Sequence, residues 1–192
     1  MAYVGAEELA VGLDAIRAAP AAAGSLEMIV RRPVVDGREV VEEGVLTAEE
    51  GLVGDYWLAR GSESRHGGAA DPDRQLTVMG SRLVDLLAGG DRTAWPLAGD
   101  QLYVDLDISV ANLPAGTQLA IGDAVIEVTV PAHTGCSKFS ARYGSDALRF
   151  VNSPEGRALR LRGLNARVVR PGTIRRGDAV LRLGPARDAG PS

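Results

Sequence analysis

The spacing of apolar residues along the chain changes from helical to strand-like near residue 25. Leu9, Leu13 and Ile16 recur at helical spacing and predict one helix from Ala6 to Ala19. Beyond Ser25, apolar runs of strand length alternate with turn residues, as in the hairpin turns at Asp36-Gly37 and Gly122-Asp123. The predicted strands are Ser25 to Pro33, Gln75 to Met79, Leu102 to Leu106, Gln118 to Ile121, Ala124 to Val130, Ala166 to Val169 and Ala179 to Leu183. Further short helices are predicted at Ser81 to Ala88 and Ser145 to Val151, with Gly156 to Leu161 as another candidate.

This order of elements predicts the fold class and the domain organisation. Short strands with interspersed single helices, and no regular βαβ alternation, favour a mainly β fold: a mostly antiparallel β-barrel or curled sheet with a few peripheral helices. We expect a helical extension over residues 1–24, one β-barrel domain over 25–184 and a flexible tail over 185–192. The polar, glycine-rich stretch from Arg60 to Asp73 predicts a long loop, which is typical of functional or mobile segments.

Composition narrows the function classes. The net charge of −4 lacks the basic surplus that nucleic-acid binding requires, so no nucleic-acid partner is expected. No apolar stretch is long enough to cross a membrane, and no membrane partner is expected. A single cysteine, Cys136, excludes an intrachain disulfide and favours a cytoplasmic location.

The segment from Pro131 to Phe139 concentrates the chemically capable side chains. It holds the only cysteine, the only lysine (Lys138) and one of the two histidines (His133), directly after an apolar strand. A neighbouring cation such as Lys138 or Arg142 stabilises a thiolate, the form that attacks electrophiles and binds soft metals. The sequence therefore predicts Cys136 as the centre of a reactive site, although a lone cysteine can also be a small buried hydrophobe.

Other sites are weakly supported by the residues alone. A closed zinc site would have at most Cys136, His133 and His66 as nitrogen or sulfur ligands, and a Cys-His hydrolase would lack a distant partner histidine and an orienting residue. Arg74 could hold a phosphate with its planar guanidinium, or could pair with Asp71 or Asp73 at the surface.

The order of several short motifs resembles the MOSC domain, named for the C-terminal part of molybdenum cofactor sulfurase. The resemblance extends from about Leu26 to Leu183. Its motifs are Gly51-Leu52-Val53-Gly54-Asp55, His66-Gly67-Gly68 with Arg74-Gln75, Gly99-Asp100-Gln101-Leu102-Tyr103-Val104, Leu113-Pro114-Ala115-Gly116-Thr117, Ile121-Gly122-Asp123-Ala124, the Cys136 loop, Gly163-Leu164-Asn165-Ala166-Arg167-Val168 and Gly172-Thr173-Ile174-Arg175-Arg176-Gly177-Asp178. Members that bind the cofactor often have a Lys-Ser pair after the first strand, where this chain has Arg31-Arg32.

The resemblance implies a β-barrel with a cleft and a functional cysteine. Cys136 would bind the molybdenum of a pterin cofactor and, with His133 and Lys138, form the catalytic group. The residues implied for cofactor binding are Arg74, His66, Gly67, Gly68, Thr134 and Arg142. Relatives reduce N-hydroxylated small molecules, with electrons from separate or fused redox partners. The resemblance therefore implies either this reduction, with a separate electron-donor protein, or handling of the sulfur of the cofactor.

Two alternatives follow from the same resemblance. Cys136 would carry sulfur as a persulfide received from a cysteine desulfurase, making the protein a molybdenum-independent sulfurtransferase. Otherwise the chain would be a binding module with no catalytic turnover. A thiolate serves as a metal ligand and as a sulfur carrier, so its chemistry does not separate these functions.

Overall fold

A computed structural model describes residues 3–61 and 68–185 as eleven strands with helices between them. The strands are β1 (Ala23–Arg31), β2 (Glu39–Val41), β3 (Glu43–Thr47), β4 (Gly51–Leu52), β5 (Leu76–Gly80), β6 (Leu102–Asp105), β7 (Thr117–Ile121), β8 (Ala124–Ala132), β9 (Leu164–Arg170), β10 (Gly172–Arg175) and β11 (Ala179–Pro185). The α-helices are α1 (Ala6–Val11), α2 (Leu13–Arg17), α3 (Trp57–Arg60), α4 (Ser81–Leu87), α5 (Ser137–Asn152) and α6 (Pro154–Ala158). Short 3-10 helices cover Pro72–Arg74 and Arg92–Ala98.

Seven strands close into a barrel. They follow the order β11-β7-β8-β9-β5-β6-β1, and β1 pairs with β11 to complete the ring. All pairs in the ring are antiparallel except β5 with β6. Outside this ring, β2 extends the sheet by pairing with β1, and β10, β3 and β4 form a separate sheet. The prediction of a mainly β, mostly antiparallel barrel with a few helices is confirmed.

Apolar side chains form two clusters, one on each face of the barrel sheet. Met28 and Val30 of β1 belong to the second cluster, and Ile29 between them belongs to the first. Leu26 also belongs to the first cluster, because the register of β1 shifts between Leu26 and Met28. The second cluster joins the barrel to the helices through residues such as Leu9 of α1. Period-two alternation in a strand that is covered on both faces therefore supplies both cores.

Two helix predictions require correction. The predicted helix from Ala6 to Ala19 is interrupted, because α1 ends at Val11 and α2 begins after Gly12, a residue with low helix propensity. The helix predicted at Ser145 to Val151 is the second half of the longer α5, whose two halves meet at a kink at Gly144. At Gly144, φ is +89°, a conformation that glycine adopts most easily.

Several expectations remain predictions. The structure does not test the division into residues 1–24, 25–184 and 185–192, and residues 186–192 lie outside the described part of the chain. Within the described residues, no helix combines the length and apolar character needed to cross a membrane.

Candidate functional site

Strand ends from distant parts of the sequence meet at one edge of the barrel. Arg32 follows β1 and His133 follows β8, while Asp100 lies two residues before β6 and Arg162 two residues before β9. The register aligns Ile29 with Leu102, Leu102 with Val78, Val78 with Leu164 and Leu164 with Ala132. Loops attached to these ends therefore surround one opening.

This edge contains a cavity of about 260 Å³, here called the cysteine cavity. Cys136 lines it and is exposed to solvent. Six arginines, one lysine and one acidic residue also line it: Arg32, Arg38, Arg60, Arg74, Arg142, Arg162, Lys138 and Asp36. This excess of positive side chains makes the cavity suitable for an anionic ligand.

Four consecutive backbone carbonyls orient four of these arginines. Arg38 Nε donates to the oxygen of Pro96 at 3.2 Å, and Arg142 Nη1 donates to that of Leu97 at 2.7 Å. The next two carbonyl oxygens, of Ala98 and Gly99, accept from Arg162 Nη2 at 3.1 Å and Arg32 Nη1 at 3.0 Å. A carbonyl satisfies a guanidinium N–H without neutralising its charge, so these contacts position cations while leaving the cavity positive.

Two of the four arginines also form buried ion pairs. Arg32 binds Asp55 in a bidentate manner, with Nε to Oδ2 at 2.8 Å and Nη2 to Oδ1 at 2.9 Å. Arg162 Nη1 donates to Asp100 Oδ2 at 2.6 Å. Both aspartate side chains are fully buried. Paired charges of this kind fix the cavity wall.

His133 completes the buried pair of Arg162 and Asp100. Its Nε2 lies 2.9 Å from Asp100 Oδ1. Burial by itself raises the pKa of Asp100, but the charges of Arg162 and His133 and their hydrogen bonds outweigh it and lower that pKa overall. Burial, assisted by the charge of Arg162, lowers the pKa of His133. The stable form is therefore an ionised Asp100 that accepts from the Nε2–H of a neutral His133, leaving Nδ1 as a hydrogen-bond acceptor.

The outer part of the cavity has weaker charge compensation. Asp36 lies 3.6 Å from Lys138 Nζ and 3.4 Å from Arg142 Nη2, and its side chain is 62% exposed. Arg38 forms no ion pair within the described part of the chain. Burial and the neighbouring charges of Arg142 and Arg32 lower the pKa of Arg38. An anion in the cavity would relieve this repulsion.

The kinked helix α5 holds the cysteine loop. Cys136 precedes the helix in an extended conformation, and its carbonyl accepts from Ser140 N at 3.0 Å. The side chain of Asn152, at the far end of α5, donates to Gly135 O at 3.2 Å and accepts from Gly135 N at 3.1 Å. Helix α5 is kinked at Gly144, and its C-terminal end lies beside the segment that precedes it. The two hydrogen bonds between Asn152 and Gly135 hold the backbone next to Cys136 in place.

The structure brings together most of the residues predicted for the site. Cys136, His133, Lys138, Arg74 and Arg142 all line the cysteine cavity. Nε of Arg74 also lies 3.7 Å from Oδ2 of Asp71. Arg74 therefore both lines the cavity and forms the ion pair with Asp71 that the sequence offered as the alternative.

Two predicted residues stand apart from this group, and two others cannot be placed. Thr134 is exposed and lines a different cavity. Gly68 does not line the cysteine cavity, and a Cβ there would meet no atom within 4 Å. His66 and Gly67 lie outside the described residues.

Sequence reasoning missed several residues of the site. Asp100 belongs to one of the motifs of the resemblance, but that motif does not indicate its role, and Arg162 lies directly before another motif. Arg32 occupies the region where cofactor-binding members often have Lys-Ser, and it lines the cavity. Arg38 carries no local signal, because its role depends on a carbonyl 58 residues away.

The described residues contain no cluster of three or more His, Cys, Asp or Glu side chains that could hold a metal ion. A metal at this edge would therefore depend on Cys136 together with ligands that the described part of the protein does not supply.

Comparisons with known proteins identify the fold and the family. The YUAD protein from Bacillus subtilis has a TM-score of 0.61 at 14% identity, covering 82% of this chain and 94% of that one. YiiM from Escherichia coli has a TM-score of 0.55 at 20% identity, covering 85% and 72%. YiiM from Geobacillus stearothermophilus has a TM-score of 0.52 at 14% identity, covering 87% and 75%.

These identities support a shared fold alone. No curated protein matches the chain. The profile of the MOSC domain matches residues 62–181, more than half of the sequence, and the predicted resemblance is confirmed. The chain belongs to the MOSC domain family, whose members are associated with the molybdenum cofactor.

Proposed function

We propose that this protein binds a molybdenum-pterin cofactor through Cys136 and uses it to reduce N-hydroxylated small molecules. The observation that carries this proposal is the position of Cys136: an exposed thiol at a cavity lined by six arginines and one lysine. A thiolate is a suitable ligand for a soft metal, and the surrounding cations suit an anionic cofactor.

The residues of the cysteine cavity fit such a cofactor. The phosphate of the cofactor requires charged donors, and Arg38 has no described carboxylate partner. Arg162 offers a second indication, because its Nε is the one buried side-chain nitrogen or oxygen of the described residues that lacks a hydrogen-bond partner. We assign Arg38 and Arg142 to the anionic groups, since both guanidinium groups lie beside Gly99 on the cavity wall, where a Cβ would be 3.3 Å from Nη2 of Arg38 and 3.4 Å from Nη1 of Arg142.

The protein residues would control protons and position. When bound, the cofactor supplies two-electron chemistry, so that R–NHOH, two electrons and two protons give R–NH2 and water. His133 presents Nδ1 as the acceptor while Asp100 holds its Nε2–H. The Lys138 side chain is 67% exposed and supplies an exposed cation at the opening. The electrons would come from a redox partner, because the single cysteine of this sequence cannot by itself hold an iron–sulfur cluster.

A sulfur-transfer function is the second candidate. The exposure of Cys136 favours it, because a persulfide on this thiol could be reached by a cysteine desulfurase and by an acceptor. This function requires no molybdenum.

The metal and pterin content of purified protein tests the proposal. The full chain is produced in a host that makes the cofactor, and molybdenum and pterin are measured per protein for wild type, Cys136→Ser and Arg38→Gln. We expect near-stoichiometric molybdenum in the wild type, its loss in Cys136→Ser and reduced pterin in Arg38→Gln. Because Cys136 is exposed, the serine variant should unfold within about 0.5 kcal/mol of the wild type.

Arg149→Gln is the matched control for charge. Arg149 lies on α5, pairs with Asp146 and does not line the cysteine cavity. The Arg149→Gln variant should therefore contain as much cofactor as the wild type. Wild-type protein without molybdenum but with cyanide-releasable sulfur, absent from Cys136→Ser, would reject the first function and support the second. If the wild type contains neither molybdenum nor cyanide-releasable sulfur, both functions are rejected and the non-catalytic binding module remains.

A further inference from the structure

A second cavity, of about 380 Å³, lies beside the cysteine cavity and has no role in the proposed function. His133, Arg162 and Asn165 line both cavities and so form a wall between them. The size of this second cavity falls within the range of small-molecule sites. We call it the bulge cavity, because an irregularity in the barrel opens it.

The irregularity lies between β8 and β9. Val128 pairs with Ala166 and Ala132 pairs with Leu164, so that residues 129–131 of β8 stand opposite Asn165 alone. The Asn165 side chain occupies part of the gap and donates from Nδ2 to Pro131 O at 3.0 Å. Bulges of this kind redirect side chains and occur frequently beside functional sites. Here the bulge leaves Val130 84% exposed at the cavity.

The lining of the bulge cavity carries positive charge without compensation. Of the described residues that line it, three are arginines and none is acidic. Arg157 and Arg160 form no ion pair within the described ranges, whereas Arg162 pairs with Asp100. The Arg160 side chain has one hydrogen bond, from Nη1 to Leu113 O, and burial lowers its pKa. The unpartnered Nε of Arg162 belongs to the same wall.

Arg160 has a backbone conformation that is unfavourable for an arginine. Its φ is +49°, and it follows the C-cap of α6 at the position where helices usually have glycine. Leu161 N donates to Gly156 O at 2.8 Å and Arg160 N to Arg157 O at 3.1 Å, which is the hydrogen-bond pattern of that glycine motif. A non-glycine residue here costs stability, and such strain is concentrated at functional sites.

The remaining lining is largely apolar. Val110, Val130, Pro131, Val151 and Leu164 contribute to it, and Val110 is 48% exposed. Exposed valines next to unpaired arginines suit a ligand with an apolar body and one negative charge. A phosphate or another fully hydrated anion would leave these valines uncovered.

We infer that the bulge cavity is a binding site for a small organic carboxylate with an apolar body, whose carboxylate is held by Arg157 and Arg160. This site does not depend on the molybdenum or sulfur chemistry of Cys136. It places the ligand against the wall that contains His133 and Arg162.

Titration calorimetry of the full chain with benzoate tests this site, with the neutral isostere benzamide as the matched ligand. We expect the wild type to bind benzoate at least tenfold more tightly than benzamide, because one hydrogen bond between charged groups increases the affinity by about tenfold. Arg157→Gln should weaken benzoate binding about tenfold. Arg160→Gly should weaken it similarly while leaving the melting temperature unchanged or higher, since glycine relieves the backbone strain.

Two further variants locate the site. Arg149→Gln removes an exposed arginine that lines neither cavity, and its benzoate affinity should equal that of the wild type. Arg38→Gln removes a charge from the cysteine cavity alone. The inference is overturned if benzoate does not bind, if benzamide binds equally well, or if Arg38→Gln weakens benzoate binding while Arg157→Gln does not. Because Arg157 is exposed, its variant remains informative if Arg160→Gly folds poorly.

Discussion

Replacement of Asp100 by asparagine removes one buried negative charge and leaves the side-chain volume almost unchanged. In the wild type this carboxylate accepts from Arg162 at 2.6 Å and lies 2.9 Å from His133, and its side chain has no solvent exposure. Asparagine retains an oxygen for one of these contacts. The Arg162 guanidinium, with 8% of its side chain exposed, then has no carboxylate partner.

The expected loss of stability follows from this uncompensated charge. Removal of one partner from a buried ion pair costs about 3–5 kcal/mol, because the other charge remains desolvated. For a chain of this length, each kcal/mol corresponds to about 2–4 °C in melting temperature. Asp100→Asn should therefore melt at least ~6 °C below the wild type, by the same conversion.

Denaturant unfolding at pH 7 provides the measurement, and Asp105→Asn is the matched control. Asp105 also pairs with an arginine, Arg82 at 2.6 Å, but both side chains are about one third exposed. A pair of that kind contributes about 1 kcal/mol or less. If Asp100→Asn loses no more stability than Asp105→Asn, the charged, buried network described here is wrong. Asp100→Asn combined with Arg162→Met should recover part of the loss, since no unpaired charge remains.

Two further predictions concern the same wall. Burial lowers the pKa of His133 in the folded chain below its usual 6.5. As the pH falls below 6.5, this histidine therefore becomes protonated in the unfolded chain before it does in the folded chain, and the free energy of unfolding should decrease. The slope should not exceed about 1.4 kcal/mol per pH unit, the value for one proton, and it should decrease in His133→Gln when unfolding is measured from pH 7 to 5. An unchanged slope in His133→Gln would contradict this assignment. Gly163→Ala should lose more stability than Gly116→Ala in denaturant unfolding. Both have positive φ, +104° and +88°, but only at Gly163 would a Cβ meet a backbone oxygen, that of Val78 at 2.4 Å. Equal losses would show that this close contact is absent.

The barrel could be predicted because its strands carry local signals. Apolar runs bounded by turn residues identify strands without knowledge of their partners, and the turn at Gly122-Asp123 joins β7 to β8 with Ile121 opposite Ala124 as the sequence indicates. Closure by pairing of β1 with β11 joins the two ends of the chain. That pairing leaves no local pattern in either strand, and it was implied only by the family resemblance.

The first half of α5 was missed although a signal was present. Phe139, Tyr143, Ala147 and Val151 are buried at intervals of four residues, which is helical spacing. Gly144 interrupts the propensity of the segment, and polar residues between the aromatic side chains resemble a loop. The thiol of Cys136 was therefore predicted in a polar loop, whereas the structure places it directly before a helix.

The arginines of the cysteine cavity could not be predicted individually, because their roles depend on partners distant in the sequence. Arg32 and Asp55 are 23 residues apart, and Arg162 and Asp100 are 62 apart. Lys138 is the only lysine among the 21 lysines and arginines of the sequence, so an arginine by itself carries little information here. Only the assembled barrel edge distinguishes those that face the cavity.

The charge pairs divide these arginines into two groups with different expected effects. Arg32 and Arg162 are buried against carboxylates, so their replacement should reduce stability before it affects any ligand. Arg38 and Arg142 are held mainly by carbonyl oxygens, so their replacement removes positive charge from the cavity and breaks no buried ion pair. A cavity built only for stability would not need the second group, because weakly compensated cations repel each other. Their presence beside Cys136 is the electrostatic argument that this edge of the barrel binds an anion.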